Sequence, residues 1–349
     1  MFFLDERAAR AASTVLVLVG LLALVYLLRR ALVLLAFSLF FAYLIWPLVA
    51  IAQRILALQR HRGTAVAVVY LVLILALAGV GAALGPRLSV EMNSLAQKLP
   101  EMSRQIQSGE IVGTVLERRG WASERVHAIE ALVASHTGEI IDYSQKAATG
   151  VLKWLAGAWV IVLVPIFAFF ILKDAGQAAA GIERLIQDPE RRHLLHAIGE
   201  DIHVLLAGYV RALLILSFVT FVAWSLVFLL AGVPYALLMA ALGGTLEFIP
   251  VVGPLAAGVI VVGVSFFTGY GHPWLLVVFV LLWRGVQDYV TSPLVMARGV
   301  EIHPSLVILG VIAGGEVGGP AGMFLSVPVI AALRIVWRRR VEVYRMRKG

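Results

Sequence analysis

The sequence contains no cysteine. That removes disulfide frameworks, thiolate chemistry and zinc fingers from consideration. Charge is nearly as scarce, at 14% of residues against about 25% in a soluble domain. The H-E-x-x-H metalloprotease pattern is missing, and serine, histidine and aspartate show no catalytic spacing, so the chain does not read as an enzyme. No cofactor or metal is expected. The net charge of +8 comes without a basic face interleaved with aromatics, which argues against nucleic acid. What the chain has in excess is apolar surface: 61% hydrophobic residues and a mean hydropathy of +0.93. Uncharged runs of roughly 18 or more residues match the length of a bilayer-crossing helix. Barrel strands would be shorter and alternating. The expected fold class is an all-α integral membrane protein, a polytopic helical bundle.

Three N-terminal spans are expected within residues 1–86. The first covers 11–28 and is too long, and lacks an A-x-A site, to be a cleavable signal. The second covers 31–51, joined to the first by a tight hairpin at Arg29-Arg30. The third runs from Gly63 to Gly85, with Pro86 as its end. Residues 87–150 mix charge with apolar residues at helical spacing and read as an extramembrane helical insert, either a passive cap or a lid. The stretch 151–349 reads as the core of the protein. It opens with a span at 151–172, then an amphipathic segment carrying His193, His196 and Glu200 on one helix face. That spacing suits a metal, but a further ligand is lacking and a solvated face explains it equally well. A fifth span at 204–231 contains Arg211, which must snorkel or face a polar cavity.

The last third repeats itself. Both "PYALLMAALGGTLEFIPVVGPLAAGVIVV", from Pro234, and "PSLVILGVIAGGEVGGPAGMFLSVPVIAA", from Pro304, run through an apolar half-helix, a Gly-Gly pair, an acid, a Gly-Pro and a second half-helix. Gly243-Gly244 precede Glu247 and Gly314-Gly315 precede Glu316; Gly253-Pro254 answer Gly319-Pro320, and Pro250 adds a further breaker. With the spans that lead into them, the two units cover about 204–267 and 273–337. Matched Gly/Pro interruptions in two halves point to a transporter site, because a broken helix exposes backbone N–H and C=O groups that lipid cannot satisfy. Packing is the competing explanation, since Gly310, Gly314, Gly318 and Gly322 form a small-residue ridge. Packing needs no acid, however. A carboxylate held away from water favours its neutral form and can trade a proton.

With the N-terminus inside, five spans leave the chain outside at Pro234. If each unit is a re-entrant hairpin, the two dip in from opposite sides as an inverted repeat. If both cross fully, the basic tail "RRRVEVYRMRKG" still ends in the cytoplasm, as its charge demands. Charge therefore allows six or eight spans.

The chain resembles the autoinducer-2 exporter family of bacterial permeases. The resemblance covers nearly its whole length and is carried by "VPIFAFFILKD", "GYVRALLI", "GVPYALLMAALGGTLEFIPVVGP" and "QDYVTSPLVMARGVEIHPSLVILGVIAGGEVGGPAGMFLSVPVIAAL". It implies a multi-pass protein of the bacterial inner membrane, without an ATPase module, that moves small polar molecules and forms a homo-oligomer. It adds weight to Gln287, Asp288, Pro293 and Arg298. One departure is Tyr289, where members often carry Asn. Arg284 and Asp288 stand at i, i+4, which permits an ion pair. The expectation is a proton-coupled secondary transporter exporting an autoinducer-2-like signal or related metabolite. Its pathway would be lined by Glu247, Glu316, Asp288, Gln287, Arg211, Arg284 and the opened backbone. A sodium–proton antiporter is the alternative, and a membrane scaffold without transport is the lesser one.

Overall fold

The computed structural model describes residues 6–56, 61–108, 158–291 and 303–346. The described residues are helical, with no strand among them. They form α1 (Glu6–Ile55), α2 (Arg62–Ser108), α3 (Ala158–Leu185), α4 (Pro189–Leu230), α5 (Ala236–Leu246), α6 (Val252–Phe267), α7 (Pro273–Val286), a π-helical segment (Gln287–Thr291) and α8 (Pro304–Met346). Five helices among them are long and apolar enough to cross a membrane; α5 and α6 are apolar but shorter.

Two expected interruptions are not formed. Residues 6–55 make one helix that runs straight through Arg29-Arg30, so the hairpin between spans 11–28 and 31–51 is replaced by a continuous rod. The stretch Tyr26–Leu32 contains no Gly, Pro, Asn or Asp to turn the chain, and arginine is a good helix former. Arg29 lays its guanidinium 4.2 Å from the centroid of the Tyr26 ring, one turn back. At 1.5 Å per residue, α1 is about 75 Å long, far more than the roughly 30 Å hydrocarbon layer. Likewise α2 continues through Pro86 and Pro100 to Ser108. The amphipathic stretch after residue 86 therefore begins as an extension of a span, with the Ser89 hydroxyl donating to the Pro86 carbonyl at 2.9 Å. The remainder of the expected insert, 109–150, lies outside the described residues. The amphipathic segment with His193, His196 and Glu200 is also one helix with the span that follows it.

The chain divides into two compact units. One comprises 67–158 and 208–299. Here α5 packs on α6, and α6 on α7, around a core that includes Trp224, Phe228, Met239, Val261 and Leu276. The chain reverses between α5 and α6. Val252 N–H donates to the Pro250 carbonyl at 2.7 Å, a three-residue γ-turn centred on Val251 at φ 65, ψ −56. That positive-φ turn is rare and strained, above all for a β-branched residue. Gly253 follows the reversal instead of forming it. A Cβ there would collide with the Leu246 carbonyl, so glycine is what allows the two helices to close.

The other unit comprises 1–66, 159–207 and 300–349. Helix α8 reverses at Gly319, whose φ 59, ψ −144 is open to glycine and little else. Residues nearly equidistant from Gly319 meet. A Cβ on Gly314 would strike the backbone of Gly322, and one on Gly310 would strike the side chain of Ile330. The small-residue ridge thus serves the closure of this hairpin. Phe324 of its second arm packs on Phe37 and Phe40 of α1, with centroids 5.2 and 4.9 Å apart. Asp201 of α4 receives Arg339 through both oxygens, at 2.7 and 2.9 Å, and Arg338 at 3.1 Å.

Candidate functional site

Three polar side chains meet inside the first unit where it is otherwise apolar. Thr220 lies in mid α4, Glu247 caps the C-terminus of α5, and Gln287 opens the π-helical segment. All three are buried, at 0%, 8% and 3% exposure, so each needs its partners within the protein. The Gln287 amide Nε2 donates to Glu247 Oε1 at 2.7 Å and to Thr220 Oγ1 at 2.9 Å. The Thr220 hydroxyl donates to the same Glu247 oxygen at 3.2 Å. Glu247 Oε2 takes no hydrogen bond from any described residue.

Each element supplies its residue for a local reason. Glu247 sits where α5 gives way to the reversal, held by its N–H on the Gly243 carbonyl at 3.3 Å. The two preceding glycines let α5 lie against α4. A Cβ on Gly243 would come within 2.6 Å of the Trp224 ring, and one on Gly244 within 2.8 Å of the Ser217 carbonyl oxygen. The Ser217 hydroxyl donates back to the Gly244 carbonyl at 2.7 Å, satisfying one of the acceptors that end a helix. The change from α to π winding at Gln287 turns its amide inward while Asp288, Tyr289 and Val290 remain exposed. Single π turns of this kind favour functional positions.

The electrostatics are unusual for a buried carboxylate. Its direct partners are neutral, and it occupies the negative end of the α5 dipole. No cation pairs with it among the described residues. The nearest turn of α7 holds the expected Arg284–Asp288 pair, with both contacts formed (Nε to Oδ2 3.0 Å, a terminal nitrogen to Oδ1 2.9 Å). That pair is half exposed and closed on itself. A buried carboxylate with two neutral donors and no direct ion pair is costlier to hold charged than one in water, which makes Glu247 a candidate seat for a proton or small cation.

Of the residues singled out by sequence, Glu247 and Gln287 come together, and Arg284 and Asp288 flank them on the same helix. Arg211 does not join them. It is exposed and precedes Thr220 by nine residues, about 14 Å along α4. Glu316 is exposed and belongs to the other compact unit, three residues before the Gly319 reversal. Gly319 and Pro320 do break α8, with Pro320 starting the second arm. Gly253 and Pro254 instead lie in the first turn of α6, so the two Gly-Pro pairs have different local roles. Pro293 and Arg298 lie outside the described residues. Sequence reasoning missed Thr220; its signal was a lone threonine three residues after Ser217 in an apolar helix. It also missed Glu91 of α2, whose Oε2 accepts the Leu238 N–H at 2.8 Å and caps the start of α5. The histidine face of α4 gathers no metal set: among the described residues no group of three or more His, Cys, Asp or Glu could hold an ion.

Buried polar groups at the break of a half-length helix, in a polytopic helical membrane protein, are an arrangement that membrane transporters use. The family description "AI-2E family transporter" matches residues 15–340, and the chain belongs to that family. It is 25% identical over 303 residues to the "Putative transport protein YueF" of Bacillus subtilis, covering 84% of this chain and 81% of that protein. It is 28% identical over 178 residues to the "Putative permease PerM" of Escherichia coli K12, half of each chain. It is 24% identical over 330 residues to the "Putative transport protein YhhT" of the same strain, covering 93% and 88%.

Proposed function

We propose that the protein is a secondary carrier that exports small polar molecules and couples their movement to protons through Glu247. The observation that carries this reading is the buried Glu247 carboxylate, which among the described residues is hydrogen-bonded by Thr220 and Gln287 and has no cation in direct contact. A group so placed is stabilised by taking up a proton when sealed from water and releases it when wetted. In this proposal the hairpins at 236–267 and 304–346 are each re-entrant elements. At about 16 Å, the 11-residue α5 reaches roughly halfway through the hydrocarbon layer. Arg284 and Asp288 form the polar approach to Glu247, and the exposed Arg211 is a further charge on α4. The cargo is an oxygen-rich solute of the autoinducer-2 type. The protein works as a homo-oligomer of the bacterial inner membrane with both termini in the cytoplasm.

The test is flux in proteoliposomes carrying an internal pH dye, with and without an imposed proton gradient. Solute movement that acidifies or alkalises the lumen in wild type and not in Glu247→Gln supports the proposal. Gradient-independent flux, equal in both, refutes the coupling role. A second reading, sodium–proton antiport, draws support from Glu247 Oε2, which no described residue bonds, since oxygen ligands suit a hard cation. Proton release on adding sodium alone separates the two.

A further inference from the structure

The outward face of the second arm of α8 plays no part in the proposed carrier mechanism. After the Gly319 reversal this arm carries no charge from Pro320 to Leu333, and then turns basic at Arg334. Ala331 and Ile335 are its buried side. On the opposite side Val329, Leu333, Trp337, Arg340 and Tyr344 recur three or four residues apart, one stripe of a helix, and all are exposed. The stripe changes character along its length. Val329 and Leu333 are apolar; Trp337, Arg340 and Tyr344 are the residue types that sit at the membrane–water boundary. From Leu333 to Tyr344, with Arg334 beside it, the stripe lines an open groove of about 760 Å³.

The arginines of this segment divide into two kinds. Arg338 and Arg339 are spent within the protein, on Asp201 at 3.1 and 2.7 Å and on Glu342. Arg334 and Arg340 line the groove, are exposed, and pair with no acid among the described residues. They stand three residues before and after Trp337. Their separation is about 9 Å along the axis, a gap that two long side chains can close around one headgroup.

We propose that Arg334 and Arg340, with Trp337 between them, seat the headgroup of an anionic phospholipid whose acyl chains lie along Leu333 and Val329. A guanidinium matches two phosphate oxygens with its planar fork, and the indole places an apolar body and a polar edge at the same level. The order of the stripe favours an amphiphile: an apolar half followed by a cationic half fits one molecule with a tail and a negative head. A second copy of the chain fits less well, because a twofold contact through this face would set the unpaired arginines against their own equivalents. The site does not depend on Glu247 or on the carrier mechanism.

Native mass spectrometry of the full chain in detergent tests the proposal, with phosphatidylglycerol as the probe and phosphatidylcholine of the same acyl chains as the control. Wild type should retain phosphatidylglycerol about thirtyfold more tightly, the combined effect of two arginines at a lipid surface. Arg334→Gln with Arg340→Gln should abolish that preference. Arg191→Gln with Arg345→Gln removes equal charge outside the groove and should keep it. The wild-type comparison and Arg340→Gln alone, expected to lose about fivefold, decide the matter should the double variant fail to fold. Equal retention of the two lipids by wild type overturns the site. A preference that survives in the groove variants does the same. If the control variant loses as much as the groove variant, the attraction is that of diffuse positive charge and the site falls. If the groove variants change the oligomer mass and not lipid retention, the face is a contact between copies and the lipid site is overturned.

Discussion

The comparison of Glu247→Gln with Glu247→Ala separates the chemistry of the site from its architecture. In the wild type, Oε1 accepts from Gln287 Nε2 at 2.7 Å and from the Thr220 hydroxyl at 3.2 Å, while Oε2 takes no hydrogen bond from a described residue. Glutamine keeps a carbonyl oxygen in the Oε1 position, so both hydrogen bonds survive. Its amide nitrogen takes the place of Oε2, where no bond is lost. The expected stability change is therefore within about 1 kcal/mol, and the variant should fold, insert and purify normally. Alanine removes the shared acceptor. Gln287 still donates to Thr220 at 2.9 Å, but two buried donors, the other Gln287 N–H and the Thr220 hydroxyl, lose their acceptor, at about 1–3 kcal/mol each, and a void of several heavy atoms is left. Together these give about 3–6 kcal/mol. Thermal unfolding in detergent, read by intrinsic fluorescence, should place Glu247→Gln near wild type and Glu247→Ala well below it. Proton-coupled flux should be lost in both. If Glu247→Gln retains gradient-driven flux with wild-type pH dependence, Glu247 is not the coupling group. If Glu247→Ala is as stable as Glu247→Gln, the hydrogen bonds described here do not hold the site.

Three further outcomes follow from the packing of the first hairpin. Gly244→Ala should destabilise by about 1–3 kcal/mol, typical of overpacking, because its Cβ would lie 2.8 Å from the backbone carbonyl of Ser217; Gly315→Ala, which meets only the flexible Met323 side chain, should cost less, and paired melting curves decide. Glu91→Ala removes the acceptor of the Leu238 N–H and should cost about 0.5–2 kcal/mol, seen as faster hydrogen exchange confined to the first turn of α5. Val251→Gly should relieve the strained γ-turn, worth about 1–3 kcal/mol, against the extra unfolded-state entropy of glycine; a clear drop in melting temperature would show that Val251 packing outweighs its backbone strain.

The breaks were legible because glycine and proline carry local backbone information. Pro250 with Gly253, and Gly319 with Pro320, mark reversals that the chain makes. The same reasoning failed at Pro86 and Arg29-Arg30, where no reversal occurs. A lone proline removes one intrahelical hydrogen bond but does not turn a long helix around, and two arginines propagate a helix well. The difference is cooperation: reversal needs a breaker together with small residues that let the returning arm approach, as Gly314 and Gly322 do. Within the site, Glu247 stood out as an acid among apolar residues, and Gln287 was marked by the family resemblance. Thr220 did not, since a threonine in a helix can bond its own backbone. Arg211 and Glu316 were equally conspicuous in sequence, yet neither joins the cluster. Helical phase can be read from spacing, whereas the partner across a tertiary contact cannot.

The two carboxylates at the ends of α5 show why one is structural and the other suited to function. Glu91 meets the N-terminus, where free N–H groups and the positive end of the dipole welcome an anion; its bond to Leu238 N–H is a cap supplied by another helix. Glu247 is at the opposite end, where the last carbonyls concentrate negative potential and the local partners are neutral. The same residue type is thus stabilised as an anion at one end and opposed at the other by the same 11-residue helix. Breaking the helix is what creates the second situation: an unbroken span would carry its C-terminal carbonyls to the interface, where water screens them. A half-length helix leaves that negative end inside the protein, beside an acid. The break and Glu247 therefore act as one device, and lengthening α5 through the reversal should remove the preference for a positive particle even with Glu247 intact.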